Sequence, residues 1–100
     1  MTENIQDGFD AIEYPLDFSF KAVCDKQAVD GNDKNKILET IVKSSVSKIV
    51  GEQRVKKLNA KESSGGRYVS ITITALLENR SELERIYSSL SECSEVKMTL

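Results

Sequence analysis

Apolar and polar residues alternate most strictly over YVSITITAL, Tyr68 to Leu76, where Val69, Ile71, Ile73 and Ala75 are interleaved with Ser70, Thr72 and Thr74. A period of two in β-branched residues predicts a strand with one buried and one wet face. Its regularity makes it the central strand of a sheet. LDFSFKAVCD, Leu16 to Asp25, alternates in the same way, with Leu16, Phe18, Phe20, Ala22 and Cys24 inward and Asp17, Ser19, Lys21 and Val23 outward. A weaker strand runs from Arg54 to Glu62, Leu58 and Ala60 inward among lysines. The last spans Val96 to Leu100, with Val96, Met98 and Leu100 expected inward and Lys97 and Thr99 outward. Tyr68 is assigned with Phe18 and Phe20 to the core side.

Two other stretches keep helical spacing. Ile37, Leu38, Ile41, Val42, Val46, Ile49 and Val50 form one apolar stripe over about Asp33 to Val50. Asn32 or Asp33 is placed to cap its start, and Gly51 to close its end in the left-handed conformation. Leu83, Ile86, Tyr87 and Leu90 form a second stripe that ends near Ser91, and Ser81 with Glu84 has the spacing of a capping box. Asp30-Gly31-Asn32-Asp33 is turn chemistry ahead of the first helix, and Ser63-Ser64-Gly65-Gly66 folds the second strand back into the third as a hairpin.

The order is strand, helix, two strands, helix, strand, and right-handed crossovers put both helices on the same side of the sheet. The expectation is an α+β, ferredoxin-like βαββαβ sandwich: a four-stranded antiparallel sheet with two helices on one face. The first and third strands are central, the second and fourth are edges. Residues 14–100 carry this pattern as one domain. Residues 1–13 hold Glu3, Asp7, Asp10 and Glu13 and predict a flexible acidic tail, ended by the break at Tyr14-Pro15.

Composition then narrows the chemistry. The formal net charge of -2 speaks against a protein that coats nucleic acid. No apolar run is long enough to span a membrane, and the first ten residues lack the apolar segment of a secretory leader. A cytoplasmic protein is expected, with Cys24 and Cys93 as reduced thiols. The chain has no histidine, which removes Ser–His–Asp and Cys–His catalysis and most transition-metal sites. No cofactor and no metal is expected. Acylphosphatases share the topology but rely on an arginine-bearing glycine loop after the first strand, and CDKQAVDGND has no arginine. No nucleophile has a base beside it in sequence, so an enzyme is not expected.

YPLDFSFKAV at the first strand, YVSITITA at the third and the closing LERIYSSLSECSEVKMTL resemble the YbeD-like family of small bacterial proteins. The resemblance covers Tyr14 to Leu100 and is strongest in the last third. It implies a fold similar to ACT-type regulatory domains and no established activity, with genes often near those of lipoate attachment. The acidic N-terminal stretch and the loop around Asp30 to Asp33 are longer than the family pattern.

Three surfaces are candidates for function. The loop Asp30, Gly31, Asn32 and Asp33 lies where ACT-type domains place effectors, at a helix start with unpaired amides; its two aspartates suit an amine better than an anion. Arg54, Lys56, Lys57, Lys61 and Arg67 make a basic edge that suits an acidic partner or deters sheet aggregation. Ser19, Lys21, Val23, Ser70, Thr72, Thr74, Lys97 and Thr99 should line the open sheet face, which lacks the exposed aromatics of an RNA platform. Cys24 and Cys93 should lie at the same end of the sheet, within reach of a redox link. The leading expectation is a non-catalytic regulatory or protein-interaction module that docks another protein or a second copy through an edge strand. A small-ligand sensor is the alternative, and anionic-partner binding through the second strand a weaker one.

Overall fold

The computed structural model describes residues 13–100. The acidic tail expected over residues 1–13 lies outside the described residues apart from Glu13. Strand β1 (Leu16–Asp25) leads through a 3-10 turn (Lys26–Ala28) to helix α1 (Lys34–Val50). A second 3-10 turn (Glu52–Arg54) enters β2 (Val55–Glu62), which turns into β3 (Tyr68–Leu77). Helix α2 (Arg80–Ser91) and β4 (Val96–Thr99) complete the fold. The strands are ordered β2-β3-β1-β4 and all neighbours are antiparallel, the ferredoxin-like arrangement that the residue pattern predicts.

The core is the layer between the sheet and the helices. β1 contributes Phe20, Ala22 and Cys24, β3 contributes Val69, Ile71, Ile73, Ala75 and Leu77, and the helices close over them with Leu38, Val42, Val46, Leu83, Ile86 and Leu90. Phe20 packs edge-on to Tyr87, with ring centroids 5.0 Å apart, and Phe18 extends this cluster toward the rim. The helices cross where side chains are small. Ser89 Oγ donates to the Ser45 carbonyl at 3.1 Å, and Ser45 Oγ donates to the Ile41 carbonyl at 3.0 Å. Hydroxyls so buried are tolerated because they are satisfied by carbonyls of the helix turns beside them.

The helix ends differ from expectation in two details. Of the two candidates Asn32 and Asp33, Asp33 caps α1 by accepting from the Lys36 amide, but α2 is capped by Asn79, which accepts from the Glu82 amide at 3.0 Å. Asn79 keeps the extended backbone of a cap while Ser81 already lies inside the helix, which starts at Arg80. Gly51 ends α1 with φ +89° and ψ 150°, an extended positive-φ conformation rather than the left-handed helical one. Either form favours glycine.

β4 departs further. It pairs Thr99 with Ala22 and Met98 with Val23, but Val96 with Cys24, so Lys97 is the extra residue of a bulge. Because side chains alternate at every residue, one extra residue reverses the faces beyond it. Val96 stays against the core while Met98 and Leu100 turn to the open face, 51% and 60% exposed. The expected inward placement of Met98 and Leu100 is therefore corrected by the bulge. Tyr68 is corrected too: it pairs with Asp25 and shares the parity of Ser70 and Thr72, on the open face.

One ion pair ties the elements together. Arg54 meets Glu82 in a two-pronged contact of 2.9 and 2.8 Å, and also donates to the carbonyls of Val50 at 2.8 Å and Leu76 at 3.3 Å. Glu82 accepts in addition from the Glu78 amide. The Arg54 guanidinium, more than anything else, holds the Glu82 carboxyl below its ordinary titration range. A carboxyl whose folded pKa is depressed contributes stability above its unfolded pKa and loses it as pH falls through the folded one. We expect Glu82→Gln to lower unfolding free energy at neutral pH by about 2 kcal/mol, moderated by the guanidinium's partial access to water. The gap between wild type and variant should narrow on acidification, as read from urea denaturation across the acid range.

Candidate functional site

At the α1 start, Gly31, Asn32, Asp33, Lys34 and Asn35 line an open cleft of about 270 Å³, completed by Lys26 and Glu62. Asp30 is exposed and does not line it. Gly31 has φ +119°, a conformation that favours glycine, and a Cβ there would press on Ile37 Cδ1 at 3.2 Å. Much of the polar lining is already engaged. Asp33 caps the helix, Lys26 Nζ lies 2.6 Å from Glu62, and Asn35 Nδ2 donates to the same carboxylate at 3.0 Å. These two donors, Lys26 first, lower the Glu62 pKa. Among the described residues, Asn35 Oδ1 in this cleft and Tyr14 Oη elsewhere are the buried side-chain polar atoms left with no hydrogen-bond partner.

The predicted basic edge separates into two kinds of residue. Arg54 is drawn beneath the strand by Glu82, because the 3-10 turn before β2 points its side chain toward the helix ends. Arg67 lies in the hairpin turn just before β3, where it pairs with Asp25 at 3.3 Å and sits 5.2 Å from the Tyr68 ring centre. Asp25 is buried, and its pKa is lowered first by the Gln27 amide and then by Arg67. Lys56, Lys57 and Lys61 remain exposed along β2. Lys57 and Lys61 pair with Thr74 and Ser70 on the open face, and Lys56 is the extra residue of a second bulge.

The open face carries Ser19, Lys21, Val23, Ser70, Thr72 and Thr74 as expected, with Ser19 and Thr74 hydroxyls 2.7 Å apart. Thr99 instead pairs with Ala22 toward the helices, and Met98 and Leu100 take the outward positions. Among the described residues these two are the large apolar side chains left exposed. Sequence reasoning missed them because the bulge has no local signature in VKMTL. Among the described residues there is also no cluster of three or more His, Cys, Asp or Glu side chains arranged to hold a metal ion, and no helix long and apolar enough to cross a membrane.

Residues 10–100 match the model of a family described as "Protein of unknown function (DUF493)". The chain belongs to this family. Among DUF493 relatives, the "UPF0250 protein" of Paraburkholderia phytofirmans is 31% identical over 88 residues, which cover 88% of this chain and 90% of that one. A UPF0250 protein of Ralstonia nicotianae is 30% identical over 89% of this chain and 84% of its own length. The YbeD-like resemblance read from the strand and helix residues agrees with this membership. The solution structure of protein HP0495 from H. pylori superposes with a TM-score of 0.68 at 20% identity, covering 100% of this chain and 98% of that one. The C-terminal domain of MgtC from Mycobacterium tuberculosis gives 0.63 at 15% identity, over 89% and 87%. At such identities the two likenesses establish the fold of this DUF493 chain alone.

Both cysteines are free. Cys24 is fully buried, and burial, with smaller effects of Cys93 and Glu95, pushes its pKa up to about 11. Cys93 is half-buried, with Sγ 3.1 Å from Ser45 Oγ and donating to the Ser89 carbonyl at 3.5 Å. Cys24 pairs with Val96, whose amide donates to the Cys93 carbonyl, so both cysteines lie at one end of the sheet. Thiolate and access together set reactivity. Iodoacetamide should therefore label Cys93 in the folded protein and reach Cys24 only after unfolding, as read by mass spectrometry of timed quenches. Equal labelling rates would contradict this assignment.

Proposed function

We propose that this protein is a non-catalytic, cytoplasmic regulatory module that docks a protein at the β4 edge of its sheet, with a second copy of the chain as the occupant. The exposed pair Met98 and Leu100, beside half-buried Val23, carries this reading. Among the described residues β4 has β1 as its one strand neighbour, so its other side offers backbone donors and acceptors to an added strand. Two β4 strands pairing antiparallel would continue the sheet through both copies and set their apolar patches side by side, the self-complementary geometry of a two-fold contact. The state of the acids supports a non-catalytic role. Among the described residues, Asp25, Glu62 and Glu82 are the carboxyls with shifted titration, and all three are shifted downward by hydrogen-bond donors. Each is thus held as an anion in a structural contact rather than kept as a proton donor near neutral pH.

A second reading is favoured by the unpartnered Asn35 Oδ1 in the α1 cleft. There the module would sense a small molecule bearing a hydrogen-bond donor, such as an amine, in the manner of ACT-type domains.

Size-exclusion chromatography with light scattering over a concentration series separates the proposals. The leading one expects mass to rise toward a dimer with concentration, and the double variant Met98→Asp, Leu100→Asp to stay monomeric with an unchanged circular dichroism spectrum. A wild-type monomer throughout would retire the self-docking reading. Backbone amide NMR with a pool of amino acids tests the second. Shifts confined to residues 26–36 would support the sensor, and an unmoved spectrum would remove it.

A further inference from the structure

The opposite edge of the sheet carries a surface that the β4 reading does not use. A groove runs between α1 and β2 in two connected parts, of about 360 and 230 Å³, which share Lys43 and Leu58. Half-buried Val55 and Leu58 form its apolar floor. Lys36 and Lys43 from α1, with Lys56 and Lys57 from β2, supply four positive charges, against Glu39 and Glu52 on the same lining. No side chain of these four lysines makes an ion pair or hydrogen bond among the described residues. Lys61, further along β2, is likewise without a side-chain partner among the described residues, whereas Lys26, Arg54 and Arg67 are paired with acids. In a chain of formal net charge -2, this strip of unneutralised cations stands out.

Lysines on β2 alone would be explained as a deterrent to edge-to-edge aggregation. That account does not cover Lys36 and Lys43, which sit on the helix across the groove. β2 is also an edge strand over its whole length, Val55–Glu62, with β3 on one side. A free strand edge, an apolar floor and a cationic rim thus run along the same line. We propose that the α1–β2 edge binds an extended acidic polypeptide segment of a partner protein by strand addition. The added backbone pairs with β2. Alternate side chains of the guest point to the groove, where apolar ones cover Val55 and Leu58, and to the open face, where acidic ones meet Lys57 and Lys61. Lys36, Lys43 and Lys56 along the groove rim draw the guest in through its overall negative charge.

The probe is a short fluorescein-labelled peptide of alternating glutamate and valine, titrated with the full chain and followed by fluorescence anisotropy. We expect saturable binding that weakens as salt rises, with amide NMR shifts along β2 and the facing side of α1. The double reversal Lys43→Glu, Lys57→Glu should weaken binding about tenfold or more, equivalent to about 1.4 kcal/mol. Both side chains are exposed, and an unchanged amide spectrum outside the groove will show that the variant folds. N-methylating the peptide on the amides of one edge leaves its charge intact and should abolish binding, whereas methylating the other edge should not. Equal binding of an alternating lysine–valine peptide, equal binding of both N-methylated forms, or tighter binding of a single-stranded oligonucleotide than of the peptide would each overturn the proposal. The Met98→Asp, Leu100→Asp variant should bind the peptide as wild type does, so failure here is separable from failure of self-docking at β4.

Discussion

The contact on which the domain's geometry turns is the one between Arg54 and Glu82. A guanidinium with donors spread in a plane can meet a carboxylate with two bonds and still reach backbone carbonyls. Here it spans the last turn of α1, the end of β3 and the first turn of α2. The end of β3 and the start of α2 are close in sequence, but the end of α1 is not, and the pair joins it to them across the fold. The pair therefore sets where each helix begins or stops relative to the sheet. The small Ser45–Ser89 contact sets how closely the helices approach in the middle.

Charge is distributed by the same logic. Three of the four arginines make structural contacts: Arg54 with Glu82, Arg67 with Asp25 and Tyr68, and Arg80 with Glu84 along one face of α2. The lysines of the α1–β2 groove are left in water. A planar, weakly hydrated cation suits a half-buried contact, whereas an ammonium on a flexible stem stays solvated until an anion arrives. The result is a surface whose net acidity conceals a local basic strip.

Bulges shape both edges of the sheet. In β2 the extra Lys56 places Lys57 beside Thr74 on the open face, and in β4 the extra Lys97 turns Met98 and Leu100 outward. An edge strand is free to absorb an extra residue because only one neighbour constrains its register. The central pair β1 and β3 cannot, and it stays in unbroken register from Leu16–Leu77 to Asp25–Tyr68. The same physics that makes an edge tolerant of irregularity leaves its backbone available to a partner.

The sequence by itself determined the elements, their order and the core of β1, β3 and both helices, because strict alternation and helical spacing are local records of burial. Asp33 as a helix cap and the exposed Lys57 and Lys61 were legible for the same reason. Only the tertiary structure decided which charges remained free. Arg54 and Lys56 are near neighbours in sequence, and nothing local says that one will find Glu82 across the fold and the other will not. Likewise it was pairing with Val23 and Cys24, not the pattern VKMTL, that put Met98 and Leu100 on the surface. Periodicity records which residues alternate; the partner strand decides where the alternation slips.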